Sequence, residues 1–382
     1  MKFKGKILVF CPYYPPHVGG LESHADEFNK HLSERGCEIT VFTPRLPSSA
    51  PEQELRYKNV NIVRFPAFEI IPNWFLPKFW QKKYKKLVND IYQKEFDIII
   101  SRTRFFFTSI MALSYARKRK IKWMHIEHGS DFVQLSNSLH SLIAKLFDYT
   151  LGRQILKKAS VVVANSKASA VFCKKIYRKR NYQVIYRGIE VDEIEHIPPS
   201  KDIVNKYKGI LKIIFTGRLI DGKGVGDLVN AVSKLRIKNW ILFIIGIGPQ
   251  INNLETQTKE LKISDKVIFF GQNNKRELIG TLKASDILVN PSYTEGLPTS
   301  VIEAAICEKP IIATNVGGTK EIIGDNSGIL IPARNPSILA EKIEYLSKNQ
   351  DLRIKMGHQA KIEIQNKFNW DNSIDKYIAL LK

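Results

Sequence analysis

Short apolar runs separated by longer amphipathic stretches recur along the whole chain, and no other feature of the sequence restricts the fold as much. Such runs fit strands buried on both faces, and the stretches between them are long enough for crossover helices, so the alternation predicts βαβ units and parallel sheets. In the first half, strands are expected at Lys6 to Cys11, Ile39 to Thr43, Asn61 to Phe65, Asp97 to Ile100, Trp123 to Ile126, Val161 to Ala164 and Val184 to Tyr186. A polar, proline-containing stretch, Arg187 to Ser200, interrupts this series. A second series runs through Leu211 to Thr216, Ile241 to Ile245, Val267 to Phe270, Ile287 to Asn290 and Ile311 to Ala313. At 382 residues the chain also exceeds the size at which one core stops growing. Two α/β, Rossmann-like domains are therefore expected, at residues 1–190 and 200–366. The segment 368–382, with Trp370, Tyr377, Ile378, Leu380 and Leu381, is expected to be an amphipathic helix that needs a surface to cover. Periodicity does not say which domain supplies that surface; we assign it to the first.

The stretch Asn290-Pro-Ser-Tyr-Thr-Glu-Gly-Leu-Pro-Thr-Ser-Val-Ile-Glu303 follows an apolar strand and opens a helix, with Pro298 suited to the first helical position. Backbone N–H groups around Gly296, Leu297, Pro298 and Thr299, together with the helix dipole, favour a phosphate in such a loop. Glu303 lies further along the same helix. Side chains lean toward a helix N-terminus, so its carboxylate points back over the loop, where it could accept hydrogen bonds from sugar hydroxyls. Two glutamates eight positions apart are also what a solvated helix face displays. A carboxylate beside a phosphate site is repelled unless cations balance it, so arginine or lysine is expected at the ends of neighbouring strands.

Those cations follow the first strand of the second series, in Ile214-Phe-Thr-Gly-Arg-Leu-Ile-Asp-Gly-Lys-Gly224. Arg218 and Lys223 flank a glycine-rich turn and are suited to neutralise charge on a departing phosphate, Arg218 through directional donors and Lys223 as a compact charge.

On these residues the chain resembles glycosyltransferase family 4, a group of retaining enzymes, over nearly its whole length. The shared features are Glu295 and Glu303 in a Glu-x7-Glu segment, and Gly217, Arg218, Lys223 and Gly224 in the basic loop. They also include Gly246, Gly248 and Pro249 in a Gly-x-Gly-Pro turn, the pair Gly19 and Gly20 after Pro15-Pro16, and a His128-Gly129 turn. The resemblance implies the GT-B fold, two Rossmann-like domains whose parallel sheets face a central cleft. It also implies roles: Glu295 on hydroxyls of the transferred sugar, Gly296 and Leu297 amides on phosphate or sugar, Glu303 on the ribose, and Arg218 and Lys223 on the diphosphate. The turn around Phe269, Phe270 and Gly271 would border the base. Gly19 and Gly20 would approach a donor or acceptor phosphate, and His128 would reach the donor sugar. Asp131, three residues beyond His128, reads better as a helix N-cap.

No Asp-x-Asp occurs in the chain. The resemblance accordingly implies metal-independent transfer from a nucleotide-sugar, with lysine and arginine doing the work of a divalent ion, no cofactor, and front-side attack in preference to a covalent glycosyl-enzyme. UDP-sugars are favoured over GDP-mannose, and the product would carry an α-glycosidic bond to a glycan or a polyprenyl or other lipid-linked acceptor. This would serve the assembly of cell-surface polysaccharide, lipopolysaccharide or glycoprotein glycans. An epimerase or phosphorylase of the same architecture is the rival within the fold; a non-catalytic nucleotide-sugar or membrane-binding protein is the rival outside it.

The net charge of +22 calls for a polyanionic neighbour. From Asn73 to Lys86, Trp74, Phe75, Phe79, Trp80 and Tyr84 interleave with Lys78, Lys82, Lys83, Lys85 and Lys86, the composition of an interfacial helix on anionic lipid or of a core-facing helix with solvated lysines. Nucleic acid is not expected, because no RNP, KH, helix-turn-helix or zinc signature accompanies the charges. Cys11, Cys37, Cys173 and Cys307 are far apart and read as reduced thiols. Met1 to Phe10 reads as a first strand, too short in its apolar run for a signal peptide, and no stretch is long enough to span a bilayer. The expected location is cytoplasmic, peripheral on the inner face of the cell membrane.

Overall fold

The computed structural model describes residues 4–71, 74–132 and 138–382, so Met1 to Phe3 and Asn73 lie outside the described residues. The chain divides into two compact units, one made of Met1–Gly188 with Trp370–Lys382 and the other of Ile189–Asn369.

Unit 1 contains β1 (Lys6–Phe10), α1 (Gly20–Glu34), β2 (Glu38–Pro44), β3 (Gln53–Arg56), β4 (Val60–Phe65), β5 (Ala67–Ile71), β6 (Trp74–Pro77) and α2 (Lys82–Gln93). It continues with β7 (Ile98–Arg102), α3 (Phe107–Arg119), β8 (Lys122–Glu127), α4 (Ser138–Phe147), α5 (Arg153–Lys158), β9 (Val161–Ala164), α6 (Lys167–Ile176) and β10 (Gln183–Val184). Its sheet has the order β10-β9-β8-β7-β1-β2-β4-β3, parallel except where β3 pairs antiparallel with β4. β1 shows why these runs are apolar throughout. Alternate residues face opposite ways, so Ile7 and Val9 join a core with Phe28 and Leu32 of α1, while Leu8 and Phe10 join another with Ala112 and Tyr115 of α3.

Unit 2 begins with α7 (Val191–Glu195) and α8 (Lys201–Lys206), followed by β11 (Leu211–Thr216), α9 (Val225–Val232), β12 (Trp240–Ile245), α10 (Ile251–Glu260), β13 (Val267–Gly271), α11 (Lys275–Ala284) and β14 (Ile287–Asn290). It ends with α12 (Thr299–Ile306), β15 (Ile311–Thr314), β16 (Ile329–Ile331), α13 (Pro336–Ser347) and α14 (Gln350–Lys367). The strands are all parallel in the order β13-β12-β11-β14-β15-β16. This is the strand order of doubly wound nucleotide-binding sheets, with a switch point between β11 and β14. Helix starts follow local chemistry: Asn274 and Glu277 form a reciprocal capping box on α11, and Asn335 precedes Pro336 at the start of α13.

The last helix, α15 (Trp370–Leu381), returns to unit 1, where Trp370, Ile374, Tyr377, Ile378 and Leu381 are buried in the core that α1 shares. Gly188 lies against the Trp370 ring so closely that a Cβ would collide with it.

The aromatic and basic run departs from the helix expected of it. Trp74 and Phe75 belong to β6, paired antiparallel with β5, and Phe75 is buried among Tyr13, Phe65 and Phe106. Helix begins only at Lys82, after a turn holding Phe79 and Trp80. The strand expected through Tyr186 stops at Val184, and the short β3, β5, β6 and β16 escaped notice because none carries a long apolar run.

Candidate functional site

In unit 2 the loops after β11 and β14 leave the switch point side by side. Gly224 has φ +63, and a Cβ there would collide with the Pro291 carbonyl; Tyr293 N–H donates to the Gly222 carbonyl at 2.8 Å. This close approach sets Lys223 Nζ 2.6 Å from Glu295 Oε1, with side chains 22% and 9% exposed. The carboxylate is held from behind. Ser292 Oγ lies 2.7 Å from Glu295 Oε1 and 2.6 Å from Asn290 Oδ1, so its single proton serves one of the two at a time, and Gly318 N–H donates to the Glu295 carbonyl at 3.2 Å. Thr314 Oγ1 in turn donates to the Ser292 carbonyl.

Arg218 is exposed on the loop that Gly217 begins, and Glu303 is partly buried within α12. The helix opens at Thr299, not at Pro298. Pro298 is its N-cap, with φ −70 and ψ 113, an extended ψ that keeps it outside the first helical turn. Gly296 and Leu297 lie in the loop just before that N-cap, ahead of an α-helical first turn whose N–H groups lack intrahelical partners. Gly246 and Gly248 have a packing reason: a Cβ on Gly246, whose φ is +144, would collide with the Gly217 carbonyl, and one on Gly248 with that of Leu219. The loop after β12 thus rests on the basic loop, tied by Leu219 N–H to the Ile247 carbonyl at 2.9 Å. Phe270, next to last in β13, lies at the same end of the sheet, 36% exposed and edge-on to Phe243.

In unit 1 the corresponding strand ends are those of β1, β7 and β8. Gly19 is the N-cap of α1, and Glu22 folds back so far that a Cβ on Gly19 would strike its carboxylate, whose Oε1 is 2.6 Å from His17 Nδ1. His128 follows β8 directly. Its Nδ1 lies 3.3 Å from Thr103 Oγ1 and its Nε2 3.2 Å from His24 Nδ1, which is also 2.8 Å from Arg102 Nη1. The His128–Gly129 turn is shaped by Glu127, whose Oε1 accepts the N–H of His128 at 3.0 Å and of Gly129 at 2.8 Å. Arg104 joins Glu127 to Asp148, at 3.0 and 2.9 Å, with both carboxylates fully buried. Burial alone would raise the Glu127 pKa, but the Arg104 guanidinium, helped by His125 and the Gly129 N–H, holds it well below the usual carboxylate range. Asp131 accepts from Phe132 N–H at 2.8 Å; residues 133–137, where a helix capped by it would begin, lie outside the described residues.

His24, Arg102, Arg104, Glu127, Asp148 and Ser292 were not anticipated from sequence. Glu22 and His24, one turn beyond the glycine pair, could have been singled out, since polar groups in the first turn of a helix opening at a strand end sit where ligands bind. The others end or follow ordinary apolar runs. Of the proposed membrane-facing residues, Phe79 and Trp80 are 44% and 60% exposed and Lys82, Lys83, Lys85 and Lys86 are exposed on α2, whereas Trp74 is half-buried and Phe75 fully buried.

Comparison with known proteins decides the family. Residues 197–363 match the family model for glycosyl transferases group 1, and residues 18–193 match that for Glycosyltransferase Family 4. An uncharacterized glycosyltransferase of Methanocaldococcus jannaschii, MJ1069, is 37% identical over 98% of this chain and 97% of its own length. The chain belongs to glycosyltransferase family 4. The fold is GT-B. Sucrose-phosphate synthase from Thermosynechococcus elongatus superposes with a TM-score of 0.83 at 20% identity, covering 98% of each chain. Anabaena Alr3699/HepE, solved in complex with UDP-glucose, superposes at 0.77 and 18% identity, covering 99% of each. As a family 4 member the protein is a glycosyltransferase. Among the described residues no helix is long and apolar enough to cross a membrane.

Proposed function

We propose that this glycosyltransferase moves a sugar from a UDP-sugar, with retention and without a metal ion, to a glycan or lipid-linked acceptor, forming an α-glycosidic bond. The observation that carries the reading is the Lys223–Glu295 pair at the switch point of the unit 2 sheet. A diphosphate arriving there exchanges a carboxylate for phosphate oxygens around Lys223, with Arg218 on the same loop as a second cation. Glu295 is then released to accept hydrogen bonds from the sugar. As the bond to the anomeric carbon breaks, negative charge grows on the leaving phosphate, and cations already in place stabilise it without reorganisation. The leaving phosphate takes the acceptor's proton, and no protein carboxylate need form a covalent adduct. The amides of Gly296 and Leu297 and the N-terminus of α12 add fixed positive dipoles, Glu303 takes the ribose, and Phe270 borders the base. His128 and the Gly19–Gly20 turn serve the substrate from unit 1. The likeness to a protein solved with UDP-glucose supports the uridine donor.

Exposed Phe79 and Trp80 beside the lysines of α2 fit the headgroup region of an anionic bilayer, which suits a lipid-linked acceptor at a cytoplasmic membrane face. Binding to liposomes that ignores anionic lipid content would remove that part.

A thermal-shift panel of UDP, GDP, ADP and their sugars tests the donor, because a ligand that binds only the native state raises Tm. UDP and a UDP-sugar are expected to shift Tm, unchanged by EDTA. Anomeric analysis of the product then tests retention, and an inverted product overturns the mechanism.

A further inference from the structure

Arg102 is fully buried at the end of β7, yet its hydrogen-bond partner among the described residues is a histidine, not a carboxylate, and its Nε and Nη2 have none. An uncompensated buried guanidinium is costly, so what it touches matters. Arginine has only donors, so His24 Nδ1, 2.8 Å away, must be the lone-pair nitrogen, and a neutral His24 carries its proton on Nε2. His24 Nδ1 has a single lone pair, taken first by Arg102; His128 Nε2, 3.2 Å from the same atom, shares it as the weaker second donor and is on that ground the proton-bearing nitrogen of its ring. That leaves His128 Nδ1 to accept from the Thr103 hydroxyl at 3.3 Å.

Thr103 supplies an independent sign. It is β-branched with φ +56, a strained conformation that persists where the surroundings over-determine it. Its N–H donates to the Ile126 carbonyl at 2.9 Å and its own carbonyl accepts from Ser109 Oγ at 3.0 Å, which fixes the hydroxyl against His128.

We propose that His24, set by Arg102, is a positioning residue for His128: with Thr103 it locks the His128 ring into the neutral form protonated on Nε2, so that His128 meets the substrate as a fixed dipole and never as an acid. The charged and titratable groups around the pair are Arg102 on β7, Arg187 beyond β10, and His125 and Glu127 on β8. Cys11, Tyr14 and Tyr377 face Arg102 itself. Burial, then Arg102, pushes both histidines well below the ordinary imidazole range; Glu127 opposes this at His128 without reversing it.

The proposal rests on the reading that His128 serves the substrate, but its test does not need transfer. In the full chain labelled with ¹⁵N-histidine, with His128 assigned by a His128→Gln variant, the wild-type ring is expected in the Nε2–H tautomer and unchanged from pH 5 to 8. His24→Phe keeps an aromatic ring beside Trp370 but has no acceptor; His128 is expected to change tautomer or to titrate in that range. His24→Asn, which returns an acceptor oxygen, is expected to restore the wild-type signals and, with them, kcat. If His24→Phe does not fold, Arg102→Met takes its place with the same expectation. A wild-type His128 protonated on Nδ1 or titrating between pH 5 and 8 overturns the proposal, as does a His128 spectrum indifferent to the variant. A His128→Ala enzyme that transfers normally removes the substrate reading instead and leaves the tautomer result standing.

Discussion

Lys223 and Glu295, 72 residues apart, form an ion pair of 2.6 Å. Two residues expected on different parts of one donor thus neutralise each other. Each holds the other's side chain in place, so on the proposed function neither would have to be ordered from solvent to meet a diphosphate.

Removing either partner should slow transfer strongly without unfolding the chain. Lys223→Ala and Glu295→Ala are each expected to lower kcat by ~10²–10³, the range seen when a group stabilising transition-state charge is lost. The double variant should be little worse than either single one, because both act on the same bound donor. Initial rates of glycoside formation, with circular dichroism as a check on folding, measure this.

Gly246→Ala should destabilise the protein by about 2–4 kcal/mol, since a Cβ meets the backbone of Gly217 in a left-handed conformation. Gly222→Ala is the control: nothing lies within 4 Å of a Cβ there. Its Tm should stay within a degree or two of wild type, while that of Gly246→Ala falls by several degrees.

The order of strands and helices was legible because each strand is buried on both faces, so its apolar run is unbroken. The residues of the candidate site in unit 2 stood out in the sequence for a related reason: its glycines, Pro298 and two cations are punctuation at strand ends, where local chemistry shows in one dimension. In unit 1 the same position is built from Arg102, Arg104 and Glu127, which terminate or follow apolar runs and pair across strands. Nothing in the spacing of a run reveals which side chains its end will meet. Trp74 to Lys86 misled for the opposite reason, since its composition suits a helix while pairing with β5 gives its first residues a strand.

Acid should weaken the fold below about pH 6.5, the ordinary imidazole range. His24, fully enclosed, has its pKa lowered by burial and then by Arg102, and His128 is lowered for the same reasons. The unfolded chain therefore binds protons there that the native one refuses. Stability is complete above the unfolded pKa and declines as pH falls, by ~1.4 kcal/mol per pH unit for each histidine. Urea midpoints between pH 5 and 7.5 measure the slope. His24→Asn should shallow it.

All four thiols should be silent in the native protein. Cys11, Cys37, Cys173 and Cys307 are free and buried, and burial pushes Cys11 and Cys307 up to about 12. Since the thiolate is the reactive form, a disulfide-exchange reagent at pH 8 should react slowly or not at all, and with four equivalents after denaturation.

The return of α15 to unit 1 has a consequence for how the chain is made. Unit 2 is one continuous stretch and can fold as soon as it leaves the ribosome. Unit 1, first to emerge, lacks Trp370, Tyr377 and Ile378 until translation has passed through the whole of unit 2. The earlier half of the polypeptide is thus the later to mature, and a nascent chain that still lacks α15 would expose an unfinished apolar face of unit 1 to chaperones.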